Sequence, residues 1–139
     1  MSILLFDSAP YTETGKFLGA GLVVFFFALS IYAVVTRIKE IELIRGGNVA
    51  AAVSFAGAAF GFVIPLASVI DHSHDLTDMG IWSAITLVVQ TILYLAVRMV
   101  IPDIDAGIEK GNVADGTLMA TLSVCTGIIL GVSLTLYPV

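Results

Sequence analysis

The chain has 139 residues, of which 58% are hydrophobic and 12% charged, with a mean hydropathy of +1.04 and a formal net charge of -5. So few charges cannot coat a soluble globule of this size, where about 25% is ordinary, and the apolar residues fall in runs long enough to cross a bilayer. No basic cluster points to nucleic acid, and the single cysteine, Cys125, excludes an intrachain disulfide.

The N-terminus lacks the basic region of a signal peptide: Asp7 and Glu13 come first, and the first cation is Lys16. The first apolar run, residues 17–36, is therefore read as a retained transmembrane helix ending at Arg37 and Lys39. Residues 38–47 mix Glu40, Glu42 and Arg45 with Ile41, Leu43 and Ile44, the pattern of a short interfacial helix stopped by Gly46 and Gly47. The second run covers residues 48–70 and contains Pro65, which removes a backbone donor and leaves the Gly61 carbonyl without its helical partner. Lipid cannot satisfy that oxygen, so a kink packed against neighbouring helices is expected.

A polar loop is expected over residues 71–78. The third run spans 79–101 and is broken by Pro102; a second polar stretch covers 103–111, and the fourth run extends from 112 to about 137. Arg37, Lys39, Arg45, Arg98 and Lys110 flank the first and third connections, whereas Lys16 is the one cation on the other side. Positive loops stay in the cytoplasm, so both termini and the His-containing loop are expected outside, in the periplasm of a Gram-negative cell.

Two segments read alike. Ile44-Arg45-Gly46-Gly47-Asn48-Val49-Ala50 and Ile108-Glu109-Lys110-Gly111-Asn112-Val113-Ala114 each open an even-numbered span. Two spans per unit makes the repeats parallel, one over about 17–70 and the other over about 79–137. Asn48 and Asn112 have a physical reason to stand at these points. They can cap helix N–H groups that have no partner, or the two helix starts can form an anion-attracting spot at the cytoplasmic face. An ordinary cap is worth about 1 kcal/mol on replacement by Ala, and a markedly larger loss at Asn48 would signal a role beyond capping.

Small residues four apart mark packing faces: Gly15 and Gly19 in the first helix, Gly57 and Gly61 in the second, and Ser123, Gly127 and Gly131 in the fourth. Such rows serve contacts inside one chain or between copies. The bulkier third helix, with Trp82, Leu87, Val88, Leu93, Tyr94 and Leu95, is expected to face lipid. Gln90, near its middle, is placed to hydrogen-bond to a neighbouring helix. His72 and His74, flanked by Asp71 and Asp75, would point the same way in an extended loop and are the candidate metal ligands; the alternative is a solvated acidic turn. Asp115 lies one turn into the fourth helix, where its repeat counterpart is Ala51. It is a first-turn acid on the helix dipole, a partner for Arg98 or Lys110, or a proton-carrying group in a pathway, and Arg98 otherwise reads as a snorkelling cation. Cys125 reads as a small buried apolar residue.

The combination Glu42-Leu43-Ile44, Gly47-Asn48, Ala50-Ala51, Ser54-Phe55, Gly57, Gly61 and Ile64-Pro65-Leu66, followed by Gln90, Val97-Arg98, Pro102, Ile108, Asn112, Ala114 and Gly116, resembles the YjfL-like small inner-membrane proteins, known as domain of unknown function family 350. The resemblance runs from Glu42 through most of the chain. It implies a bacterial multi-pass membrane protein with a duplicated two-helix unit, and it carries over no activity and no site.

The sequence thus describes a single all-α membrane domain, residues 1–139, of four transmembrane helices in two parallel two-helix repeats with short interfacial segments. Nothing in it makes a nucleophile triad, phosphate loop or cysteine motif. The expected role is a non-catalytic component without cofactor, in contact with the lipid bilayer, that self-associates or joins a larger membrane complex. A small oligomeric channel or transporter is the alternative.

Overall fold

The computed structural model describes residues 9–73 and 75–136. They form six helices: α1 (Ala9–Val35), α2 (Glu40–Arg45), α3 (Val49–His72), α4 (Leu76–Val100), α5 (Ile104–Glu109) and α6 (Val113–Leu134). Four of these, α1, α3, α4 and α6, are long and apolar enough to cross a membrane. The protein is therefore an all-α, four-span membrane protein, with α2 and α5 as short helices at one end.

The boundaries differ from the hydropathy reading in two places. First, α1 begins at Ala9, well before the apolar run, because Pro10 suits a first turn and Lys16 pairs with Glu13 at 2.7 Å. Its 27 residues reach about 40 Å at 1.5 Å per residue, about 10 Å beyond a hydrocarbon core. Second, the expected polar loop is encroached on from both sides, α3 running to His72 and α4 starting at Leu76. His72 is still helical, and the Asp75 carboxylate caps α4 by accepting the N–H groups of Thr77 and Asp78. Hydropathy ends a span where polarity begins, whereas the backbone ends it where its last N–H or C=O finds a partner.

The most extensive contact is between α3 and α6. They run parallel: Gly116 packs on Ala50, Gly57 on Ala120, Gly61 on Ser123 and Gly127, and Gly131 on Ile64, so contacts advance together along both helices. A Cβ on Gly61 would sit 2.5 Å from the Ser123 carbonyl oxygen, and one on Gly57 would strike the Ala120 backbone. These glycines let two backbones approach without a hydrophobic driving force. Ser68 adds a bond from its hydroxyl to the Gly131 carbonyl at 2.8 Å.

Against this pair α4 lays Met79, Ser83, Thr86, Gln90, Tyr94 and Val97, all buried. The expectation that α4 is the lipid-facing helix is corrected here. Only its outer residues, such as Val88 and Ile92, are exposed, and Tyr94 is 2% exposed. The most exposed span is α1, with Leu22, Val23, Phe26, Phe27 and Val34 uncovered. A bulky side chain fills a groove as readily as it faces lipid, so size alone misassigned the face. Cys125 is likewise on the outer surface of α6 rather than buried.

Two apolar clusters fill the interior. One, at the α2/α5 end, gathers Tyr32, Ile38, Ala50, Ala51, Tyr94, Ile104, Ile108 and Met119; the other, toward the opposite end, holds Ala28, Phe62, Leu66, Val69, Met79 and Leu134.

Candidate functional site

Polar groups collect in two places. The first is mid-bundle. Pro65 leaves the Gly61 carbonyl without its helical donor, and the Gln90 side chain supplies one: its Nε2 donates to the Gly61 oxygen at 2.9 Å and to the Ser123 oxygen at 3.1 Å. One side chain of α4 thus bridges α3 and α6 within their glycine-lined contact, and α3 continues through the proline without interruption. Gln90 Oε1 is buried and has no partner among the described residues.

The second place is the α2/α5 end, where a cluster forms from residues of four elements. Asp105 of α5 accepts a hydrogen bond at Oδ2 from the Tyr94 hydroxyl at 3.0 Å, and the same oxygen forms an ion pair with Arg98, whose Nε is 3.2 Å away. The Tyr94 oxygen in turn accepts the Arg37 N–H at 3.4 Å, which ties the end of α1 to α4. The Tyr32 ring meets Tyr94 edge-on with centroids 6.2 Å apart. Beside them lies Glu40, the first residue of α2, only 2% exposed. Its Oε2 is 3.1 Å from the Thr36 hydroxyl, which is also 3.4 Å from the Ala33 carbonyl. Burial, with the Asp105 charge adding to it, pushes the Glu40 carboxyl up to about 7, despite the opposing hydrogen bond from Thr36.

Of the residues singled out from sequence, Asn48 and Asn112 stand at the starts of α3 and α6. The Asn48 side chain accepts the Ala51 N–H at 2.9 Å, and that of Asn112 accepts the Ala114 N–H at 3.1 Å. Gly47 and Gly111 precede them with φ of 83° and 85°, a left-handed turn that glycine adopts freely. Asn48 does more: its Nδ2 donates to the Ile108 and Glu109 carbonyls at 2.8 and 3.1 Å, so it also closes the end of α5. Asp115 pairs with neither Arg98 nor Lys110. Its carboxylate accepts Asn112 Nδ2 at 2.8 Å and fills the space above Gly107. Arg98 is not a free snorkelling cation, because Asp105 holds it. Gly57, Gly61, Ser123, Gly127 and Gly131 face one another across α3 and α6 within one chain, whereas Gly15 and Gly19 on α1 meet nothing within 4 Å.

Of the candidate metal ligands, His72 does not lie in an extended loop. It ends α3 with Nδ1 2.8 Å from the Ser68 carbonyl, and the Asp75 carboxylate is engaged as a cap. His74 lies outside the described residues. Among those described, no group of three His, Cys, Asp or Glu side chains comes together around a common point.

Sequence reasoning passed over Glu40, Asp105 and Tyr32 as site residues, because short polar stretches look solvated. One signal was available. The alignment that sets Asn48 against Asn112 also sets Glu40 against Ile104, which is fully buried. A carboxylate standing in an apolar register is the mark of a buried acid.

Residues 5–134 match the family described as Domain of Unknown Function (DUF350). The chain is 34% identical over 131 residues to the UPF0719 inner membrane protein YjfL of Escherichia coli (strain K12), covering 94% of this chain and 98% of that one. The protein of the same name from Escherichia coli O157:H7 matches equally. No solved structure matches the chain.

Proposed function

The chain belongs to the DUF350 family, and from that premise we propose that it is a non-catalytic component of a bacterial inner membrane that associates with copies of itself along α1. The inner-membrane placement follows the related YjfL proteins. The α2/α5 end, with Arg37, Lys39, Arg45, Arg98 and Lys110, faces the cytoplasm by the positive-inside rule, and both termini lie outside.

The observation that carries this reading is how unevenly the four spans are used. The glycine faces of α3 and α6 are consumed within the chain, and the Gln90 amide hydrogens are both spent on backbone oxygens. That leaves a packed bundle rather than a polar path, which favours assembly over conduction. By contrast, α1 turns Gly15, Gly19, Leu22 and Phe26 outward at helical spacing, with open space at both glycines. Its opposite face is already packed inward: a Cβ on Gly21 would sit 3.0 Å from the Ile70 side chain. A stripe of two glycines followed by large side chains suits close approach of a second α1.

The test is to extract the protein directly from its membrane into nanodiscs and weigh the particles. Two or more copies per particle, and no ionic current when they are fused to a planar bilayer, is the expected result. Single-copy particles, or a reproducible conductance, would refute the reading.

A further inference from the structure

Glu40 sits where an apolar residue would satisfy the fold. In the register of the repeat its place on α5 is taken by Ile104, and both are sealed from solvent. Asp105 has a cation, Arg98, and the Tyr94 hydroxyl. No ion pair reaches Glu40 among the described residues. Lys39, its neighbour, is exposed and pairs with Glu42 at 3.5 Å. The groups facing Glu40 are Tyr32 from α1, Thr36 from the elbow after it, Asp105 from α5, and Tyr94 and Arg98 of α4 beyond it. The only ionisable residues of α3 are Asp71 and His72, at its far end. Among the described residues, the one nearby cation is thus committed to Asp105, and Glu40 is left without one.

The hydroxyl of Thr36 sharpens the point. It has one hydrogen and two acceptors in reach, the Ala33 carbonyl at 3.4 Å and Glu40 Oε2 at 3.1 Å. If Glu40 carries a proton, its O–H donates to Thr36 Oγ, and Thr36 donates onward to Ala33, so all three groups are satisfied. If Glu40 is ionised, one acceptor loses its hydrogen, and a buried anion stands beside Asp105.

We propose that Glu40 is a proton-operated latch: with its proton it pins the start of α2 into the elbow after α1, and without it α2 swings loose. The elbow joins α1 to the rest of the bundle at this end, through the Arg37 bond to Tyr94. Release of α2 therefore changes how α1 is held. Because burial pushes the folded carboxyl up to about 7, above the ordinary 4.5 of a glutamate, the stabilisation is complete below the lower value. It is lost as pH rises through the upper one.

Labelling glutamate with carbon-13 in the full chain, held in nanodiscs, gives side-chain signals from Glu13, Glu40, Glu42 and Glu109. The signal missing in E40Q belongs to Glu40 and is expected to titrate with a midpoint of about 7. Hydrogen exchange of residues 39–45, corrected for intrinsic rates, is measured on the same samples between about pH 5 and about pH 9. It should rise severalfold as the pH climbs from about 5 to that midpoint and then level off in the wild type, and remain low throughout in E40Q and in E40I, which copies the residue of α5. D105N, which removes the neighbouring charge, should keep the transition and move it to lower pH. A Glu40 signal with an ordinary glutamate midpoint overturns the latch. So does exchange that rises as much in both Glu40 variants, or a midpoint of about 7 with no change in exchange.

Discussion

The side chain of Asn48 gives its oxygen to the Ala51 N–H and its amide hydrogens to two carbonyls at the end of α5, while Asn112 bonds only within its own first turn. The two asparagines match in sequence, yet their replacement should not cost the same. Asn112→Ala removes an ordinary cap, about 1 kcal/mol; Asn48→Ala also strips two carbonyls of their donor and should cost about 2–3 kcal/mol. Reversible unfolding in mixed detergent measures both, and equal losses would deny Asn48 its bridging part. Gln90→Leu tests the mid-bundle bond in the same way, with an expected loss of about 1–3 kcal/mol because the Gly61 oxygen is then left bare in an apolar interior. Sequence made part of this legible. Pro65 exposes the Gly61 carbonyl by simple chain geometry, and Gln90 stands out as a polar residue in an apolar run. That the two meet required the packing of α4 on α3. The acid at Glu40 was hidden for a different reason: among Lys39, Glu42 and Arg45 it looks like one more solvated charge, and only burial separates it from them.

Helix identity was readable from hydropathy, because nothing but a helix of about 20 apolar residues satisfies its own backbone in lipid. Helix ends and faces were less so. The cap at Asp75 starts α4 earlier than its apolar run, and Pro10 starts α1 earlier still. Faces failed where size stood in for packing, as with Tyr94. Spacing of small residues did better: Gly57, Gly61, Gly127 and Gly131 are the contact of α3 with α6. Gly61→Leu or Gly127→Leu should therefore separate the pair and cost at least about 3 kcal/mol, more than ordinary overpacking. Val88→Leu, on the exposed side of α4, should fall within about 0.5 kcal/mol of wild type. Similar losses at all three positions would mean that the helices do not meet at these glycines.

At the scale of the whole molecule, four spans place both short helices, both asparagine caps, the buried Glu40 and the Asp105–Arg98 ion pair at one end. Impermeant thiol labelling in a Cys125→Ser background fixes which side that is. A cysteine introduced at Asp78 should react in intact cells, and one at Arg45 only after permeabilisation; the reverse would turn the molecule over. Composition announced a membrane protein, but neither charge nor hydropathy can say which surfaces meet lipid and which meet another copy, because both are equally apolar. Cross-linking in the membrane decides that directly. In the same background, a cysteine replacing Leu22 on the outward stripe of α1 should form a disulfide-linked dimer under mild oxidation, and one replacing the inward Ala28 should not. Absence of the Leu22 dimer at native expression, or equal cross-linking from Ala28, would contradict self-association through α1.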